Sequence, residues 1–319
     1  MKFPGAACFL LASAAVFAAE SGPVAALPPA AETSLAGAID FHCHSAPDSV
    51  ARSLDSFEVV RQARAAGMRG VVLKNHFVST AAIAQLAMRE IGGVEVFGGI
   101  VLNRAAGGIN AEAVRRMSQV DGKRGKIVWL PTFDAENQVR FSRETRPFVS
   151  VAKDGQLVPE LAEVLRLAAE ADLILATGHS SPEESLLVLE AARRAGVKRL
   201  LVTHVITEPT RATLAQMKTM AALGAVMECT WLAHLGGPSW QTPGAGAVKS
   251  VPIADCVQAI RSVGAEHFLL TSDLGQPNNP AHTTGLRAFV TALRENGVSV
   301  REIELMTRTN PARLLGLAP

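Results

Sequence analysis

Eight short apolar runs, each followed by a segment with helical spacing of its apolar residues, constrain the fold of this chain most strongly. Strands that alternate with helices pair in parallel through right-handed crossovers. Eight such repeats favour closure into a barrel, which usually takes about 250 residues. The sequence therefore predicts an α/β fold, a (β/α)8 TIM-type barrel in one domain. The runs are Ala38–His44, Gly70–His76, Val94–Leu102, Lys126–Phe133, Leu173–His179, Arg199–Val205, Ala225–Thr230 and His267–Asp273.

The N-terminal residues differ in character from this repeating part. Lys2 precedes the apolar stretch Phe9–Phe17, and small residues follow at Ala18 and Ala19. This order is typical of a secretory signal peptide, and a disordered apolar extension is the alternative. We expect a signal peptide at 1–19, a Pro/Ala-rich linker at 20–36 and the barrel at 37–319. The mature protein is then periplasmic or secreted, or cytoplasmic if the leader is not cleaved.

Composition restricts the partners of the chain. The net charge is +2, no long run of Lys and Arg occurs, and Tyr is absent. This argues against a basic surface or stacking platform for nucleic acid. No stretch after the leader has the roughly 20 apolar residues of a membrane span. We expect a small-molecule substrate, no nucleic acid and no membrane insertion of the mature form, and we leave a homo-oligomer open.

The first apolar run ends with two histidines, His42 and His44. Residues two apart on a strand project to the same side, so both imidazoles can face one ion, and Cys43 points away from them. Two buried structural histidines would give the same pattern. The pair alone therefore does not decide between a metal site and a core.

Three further residues of the ligand type end three other runs, namely His179, His204 and Asp273. The carboxyl ends of barrel strands meet at one mouth. Imidazole nitrogens and carboxylates are the ligands that Zn²⁺ and similar ions prefer. The sequence predicts a site for one or two divalent metal ions at this mouth, with zinc favoured.

With these residues in place, the chain resembles the amidohydrolase superfamily of metal-dependent hydrolases over residues 37–319. The resemblance rests on the five strand-end residues and on the closing segment Thr309–Leu317. The stretches Leu73–His76, Trp129–Thr132 and Ser272–Gln276 look like an uncharacterised subgroup of amidohydrolase-like proteins.

The resemblance implies that His42, His44, His179 and His204 bind the metal. It implies that Asp273 contacts the metal and accepts a proton from a metal-activated water. Such an enzyme cleaves an amide, lactam, lactone or ester bond of a small molecule. A metal-dependent decarboxylase or other lyase of the same superfamily is the alternative. A non-catalytic periplasmic protein that binds a metal or a ligand is a third reading, against which Asp273 argues.

Lys74 departs from the binuclear members of that superfamily, in which a carboxylated lysine from the fourth strand bridges two ions. Lys74 instead ends the second run. Three roles stay open for it: a carboxylated bridge, a cation that binds a substrate anion, and a structural ion pair. His76 lies two residues later and faces the same way, so it can bind a second metal or orient the substrate. Lys74 and His76 join Asp273 as candidate catalytic residues.

Other polar residues just beyond strand ends are candidates for supporting the ligands or lining a polar rim. His234, His267 and His282 are expected to be structural or peripheral. The long segments 134–158 and 231–251 are expected to be functional loops, the second an apolar lid. The rim candidates are Asp134, Asn137, Glu228, Gln276 and Asn278.

Overall fold

Eight parallel strands form the central sheet of the protein. A computed structural model describes residues 34–238 and 247–318. The strands pair with their neighbours in sequence order. Each of the eight predicted runs overlaps one strand, so the predicted alternation is confirmed. The strands are β1 (Ile39–His44), β2 (Gly70–Lys74), β3 (Glu95–Val101), β4 (Gly125–Trp129), β5 (Ile174–Ala176), β6 (Arg199–Val202), β7 (Val226–Thr230) and β8 (Phe268–Thr271).

Backbone contacts between the first and the last strand close the sheet. The amide of Asp273 donates to His42 O at 2.9 Å, and the amide of His44 donates to Leu274 O at 2.9 Å. Cys43 and Leu274 form a parallel bridge between the two chain segments. The sheet is therefore a barrel, and the predicted (β/α)8 TIM-type fold is confirmed.

Helices separate the strands and cover the outside of the barrel. Local sequence sets several of their starts: Ser181 accepts from the amide of Glu184, whose carboxylate accepts from the amide of Ser181. The helices are α1 (Ser56–Ala65), α2 (Ala81–Ile91), α3 (Ala111–Gln119), α4 (Glu136–Phe141), α5 (Leu161–Glu170), α6 (Pro182–Arg194), α7 (Leu214–Ala222), α8 (Leu232–Leu235), α9 (Ile253–Val263), α10 (His282–Glu295), α11 (Val300–Glu304) and α12 (Asn310–Leu315).

Short elements complete the chain. One hairpin pairs Ala152–Lys153 with Gln156–Leu157 in the long segment between β4 and β5. Gly237–Pro238 pairs antiparallel with Ala247–Val248. Single turns of 3-10 helix and one π-helical turn make up the remainder, at Arg104–Ala106, Asp121–Lys123, Ala265–His267 and Leu305–Thr309.

The core has an inner layer within the barrel and an outer layer between strands and helices. Ile39, Phe41 and Trp129 belong to the inner layer. Cys43 packs in the outer layer with Val60 of α1. The register between β1 and β2 shifts between Asp40 and Cys43, which is the signature of a β-bulge. The bulge lets Phe41 fill the barrel while the next residue, His42, points to the mouth.

Some predictions fall outside the described residues. These include the signal peptide at 1–19, most of the linker at 20–36, and Trp240 and 244–246 of the expected lid. In the described ranges, no helix combines the length and the apolar character needed to cross a membrane.

Candidate functional site

Three buried side chains from the two ends of the sheet converge at the mouth of the barrel. His42 Nε2 lies 3.1 Å from His44 Nε2. Asp273 Oδ1 lies 3.0 Å from His42 Nε2 and 3.2 Å from His44 Nε2. Two nitrogens and one carboxylate oxygen thus surround one point.

This arrangement fits a divalent metal ion. Two ligand atoms at about 2.1 Å from Zn²⁺ in a tetrahedral site lie roughly 3.4 Å apart. The three separations between His42, His44 and Asp273 are 3.0, 3.1 and 3.2 Å, close to that value. Together these residues form a group that could hold a metal ion.

Unusual backbone conformations direct two of the mouth residues. Asp273 has φ 55° and His204 has φ 54°, both in the left-handed region that residues other than glycine seldom adopt. Each follows the end of a strand, β8 and β6 respectively. Gln276 Nε2 donates to Asp273 O at 3.0 Å and supports the turn. Backbone strain of this kind concentrates at functional sites.

His204 and His179 extend the cluster to the ends of β6 and β5. His204 Nε2 lies 3.6 Å from Asp273 Oδ2, and its ring stacks on His42 at 5.3 Å between centroids. The ring of His179 lies 5.3 Å from that of His204. His179 Nδ1 bonds to Gln138 Oε1 at 2.9 Å, and its buried Nε2 has no hydrogen-bond partner among the described residues.

Glu228 lies behind the histidines, on the inner side of β7. Its side chain is fully buried. Glu228 Oε1 lies 3.0 Å from His42 Nδ1, and Oε2 lies 3.4 Å from His204 Nδ1. His42, His204 and Glu228 also form a second group with the spacing of metal ligands. One carboxylate therefore contacts two of the mouth histidines on the side away from Asp273.

Lys74 reaches the same region from the end of β2. It is 1% exposed, and its Nζ has no hydrogen-bond partner in the described ranges. Nζ lies over the Trp129 ring at 5.1 Å from the centroid, a distance typical of a cation–π contact. Burial lowers the pKa of Lys74 to about 8, against the opposing effect of Asp273 and Glu228.

His76 stacks between two rings beside the cluster. Its ring centroid lies 4.7 Å from that of His44 and 3.8 Å from that of Phe133. His76 Nδ1 bonds to Thr132 Oγ1 at 2.9 Å, and Thr132 Oγ1 accepts from Asn103 Nδ2 at 2.9 Å. This network fixes the His76 ring and leaves Nε2 for a ligand or substrate.

Burial and local charge favour neutral histidines beside a carboxylate. Burial holds the pKa values of His44, His76 and His179 well below the usual value. Burial opposes ionisation of Asp273, but the nearby His42 and His204 outweigh it and hold the Asp273 pKa well below its usual range. The nitrogen lone pairs and the negative oxygen that a cation needs are therefore available.

His42 differs from the other histidines in this respect. Burial acts to lower its pKa, but Asp273 and Glu228 more than compensate, and the pKa of His42 is raised. The imidazole lies between two buried carboxylates, which require positive charge nearby. A metal cation at the mouth would supply that charge.

Two of the expected rim residues have structural roles. Asp134 pairs with Arg146 and accepts from the amide of Arg104. Asn137 Nδ2 donates to the carbonyls of His179 and Pro209, each at 3.0 Å. Both residues thus hold neighbouring loops together.

The three histidines expected to be structural lie outside the cluster of ligand atoms. His282 bonds through Nε2 to His44 O at 2.9 Å, so it supports a mouth residue through its backbone. His234 Nδ1 bonds to Val251 O at 2.7 Å, and His267 lies beside Glu266 at the opposite end of its strand.

Gln138, Asn103 and Thr132 support mouth histidines and were not identified from the sequence. Gln138 belongs to α4, within a long connecting segment whose path the sequence does not specify. Asn103 and Thr132 follow β3 and β4, and this position beyond a strand end was the available signal. The sequence predicts Glu228 to be a rim residue, but its burial and its contacts with two histidines give it a more central place.

Comparison with protein families identifies the chain. The model of the "Family of unknown function (DUF6282)" matches residues 37–228, more than half of the 319 residues. The chain belongs to this family. The match covers β1 to β6 and reaches Glu228 within β7. No curated protein matches the chain.

Solved structures share the fold of this DUF6282 member at low sequence identity. An amidohydrolase from Burkholderia multivorans with bound Zn has a TM-score of 0.58 and 14% identity, and the match covers 89% of this chain and 100% of that one. An amidohydrolase from Pseudomonas aeruginosa gives a TM-score of 0.58 at 12% identity, covering 87% and 95%. A mutant PTE-like lactonase from Deinococcus radiodurans gives 0.55 at 15%, covering 89% and 97%. The resemblance to the amidohydrolase superfamily is confirmed for the fold.

Proposed function

We propose that this DUF6282 member is a metal-dependent hydrolase that cleaves an amide, lactam, lactone or ester bond of a small molecule. The proposal rests on the convergence of three atoms, His42 Nε2, His44 Nε2 and Asp273 Oδ1. All three distances between them are 3.0 to 3.2 Å. The fold shared with an amidohydrolase that binds Zn and with a lactonase supports the proposal.

A bound divalent ion supplies a Lewis acid and lowers the pKa of coordinated water from about 15.7 toward 7. His42, His44 and Asp273 would hold the ion, with His179 and His204 as the remaining ligands. Asp273 Oδ1 contacts His42 and His44, whereas Oδ2 is directed toward His204 at 3.6 Å. We assign proton acceptance to Asp273 Oδ2 for this reason. His76 orients the substrate through Nε2.

Lys74 determines the number of ions in this proposal. Carboxylation of its amine by carbon dioxide would add two oxygen ligands and allow a second ion. Its buried Nζ, which has no hydrogen-bond partner among the described residues, supports this role. Addition of ¹³C-labelled bicarbonate should then give a carbamate carbon signal that is absent in Lys74→Met. Without that signal, Lys74 acts as a free amine and the site holds one ion.

A metal-dependent lyase is the second candidate, and Lys74 is the residue that favours it. Lys74 Nζ lies over the Trp129 ring, 5.1 Å from its centroid. This cation–π contact suits an ammonium group, which could also pair with a substrate carboxylate. A lyase of this kind releases carbon dioxide without incorporating oxygen from water. Reaction in ¹⁸O-labelled water separates the two candidates, because only hydrolysis places the label in the organic product.

Metal removal tests the proposal directly. The protein is stripped with a chelator, reloaded with Zn²⁺, and assayed on lactones, esters and amides at each stage. We expect turnover to vanish on stripping and to return on reloading, with His44→Ala inactive throughout. His267→Ala is the matched control, because His267 lies at the opposite end of the barrel. Equal turnover before and after complete stripping would refute the proposal, and metal binding without any turnover would favour a binding protein.

A further inference from the structure

Glu228 is a buried carboxylate that the proposed reaction does not use. It lies within β7, whose other residues are apolar or small: Val226, Met227, Cys229 and Thr230. Burying a carboxylate is unfavourable unless it is paired and hydrogen-bonded. The residues that contact Glu228 therefore indicate its role.

Both oxygens of Glu228 are directed at mouth histidines. Oε1 lies 3.0 Å from His42 Nδ1, while Oε2 lies 3.4 Å from both His204 Nδ1 and the His204 amide nitrogen. In each histidine the other nitrogen, Nε2, faces Asp273, at 3.0 Å for His42 and 3.6 Å for His204. The two rings thus lie between two carboxylates.

We propose that Glu228 is a positioning residue that fixes His42 and His204 as Nδ1–H tautomers, so that both Nε2 lone pairs face the metal. A carboxylate has no proton to donate, so a neutral imidazole beside it must place its hydrogen on the nitrogen that contacts it. The ring nitrogen that a histidine offers to a metal is set by the hydrogen bond of the other nitrogen. Glu228 fixes the tautomers of both histidines, because its two oxygens contact two different rings.

This role rests on the proposed metal site and can be tested apart from catalysis. Glu228→Gln keeps the shape but replaces one acceptor oxygen with an N–H donor. One histidine must then change its tautomer or turn its ring. Zn²⁺ affinity, measured by competition with a chromophoric chelator, should fall about 10–100-fold, the usual effect of losing such a supporting contact. The ion-to-protein ratio at saturation should stay unchanged.

Two controls make this measurement specific. Glu95→Gln removes a carboxylate that pairs with Arg124 at the start of β3, away from the mouth, and should bind Zn²⁺ as the wild type does. Glu228→Asp retains a carboxylate that is too short to reach both rings, so its affinity should lie between those of the wild type and Glu228→Gln.

The results separate failure of this inference from failure of the proposed function. Wild-type affinity retained in Glu228→Gln would overturn the positioning role and leave the metal site intact. A saturation ratio lower by one ion would also overturn it, because Glu228 would then be a ligand in the group with His42 and His204. No specific Zn²⁺ binding by the wild type would refute the proposed function itself.

A measurement on the wild type covers the case in which the variant does not fold. Long-range ¹H–¹⁵N spectra of Zn²⁺-loaded protein labelled at histidine, assigned with single histidine variants, identify the tautomer of each ring. The proposal expects a proton on Nδ1 of His42 and His204 and none on Nε2. A proton on Nε2 of either residue would overturn it.

Discussion

Gly178→Ala should destabilise the barrel at the point where His179 enters the mouth. Gly178 has φ +62°, and a Cβ built there would lie 2.3 Å from Leu130 O and 2.4 Å from Pro131 O. These are backbone atoms, which cannot rotate away as a side chain can. The next residue is also fixed there, because the His179 amide donates to Pro131 O at 2.8 Å.

Gly155→Ala is the control for this substitution. Gly155 lies in the turn between Lys153 and Gln156 with φ +74°, and nothing lies within 4 Å of its added Cβ. Both variants bear the cost of alanine at a left-handed φ, about 1–2 kcal/mol. Gly178→Ala adds a steric cost, which is about 1–3 kcal/mol for overpacked positions. The difference between the two variants isolates the contact with the two carbonyls.

We therefore expect Gly155→Ala to lose about 1–2 kcal/mol of unfolding free energy and Gly178→Ala about 2–5 kcal/mol, measured by urea denaturation of the metal-free protein. The Zn²⁺ affinity of Gly178→Ala should also fall, because His179 is displaced, whereas that of Gly155→Ala should not change. Equal losses of unfolding free energy in the two variants would refute the steric argument.

Three further predictions concern the mouth and the far end of the barrel. Asp273→Asn should retain the fold and lose about 10²–10⁴-fold in turnover, the usual contribution of a proton acceptor; turnover within threefold of wild type would contradict this. Removal of Zn²⁺ should lower the melting temperature, because an ion present at 100 times its Kd adds about 2.7 kcal/mol of stability; an unchanged melting temperature would argue against a bound ion. Asp172→Asn should cost about 1 kcal/mol after solvent screening, since Asp172 pairs with Arg199 at 2.8 Å. That hydrogen-bonded pair lowers the pKa of Asp172. The stability difference should therefore be present above the ordinary Asp pKa and shrink as the pH falls through the lowered value; a pH-independent difference would contradict the assignment.

The sequence predicts the fold well because the barrel depends on a repeating pattern. The periods of strand and helix recur along the chain, and no distant contact is needed to recognise them. The strand-end residues are informative for the same reason, since parallel strands carry their carboxyl ends to one mouth. Strand limits are less accurate: the predicted run Leu173–His179 contains the strand Ile174–Ala176, because the residues after it turn toward the mouth.

The finer geometry of the site depends on contacts that the sequence does not encode locally. The alternation rule places His42 and His44 on one side, but it does not predict the bulge that also brings Phe41 into the barrel. Gln138 meets His179 only through the path of a long connecting segment. Glu228 carries a usable signal, a charged residue inside an apolar strand, yet its closer partner, His42, lies 186 residues away in the sequence.

The central claim is that His42, His44 and Asp273 bind one metal ion. Anomalous diffraction from crystals loaded with Zn²⁺ tests it most directly. We expect a peak at about 2.0–2.2 Å from His42 Nε2, His44 Nε2 and an oxygen of Asp273. A fully loaded crystal in which these three side chains bind no ion, with the zinc located elsewhere, would contradict the claim.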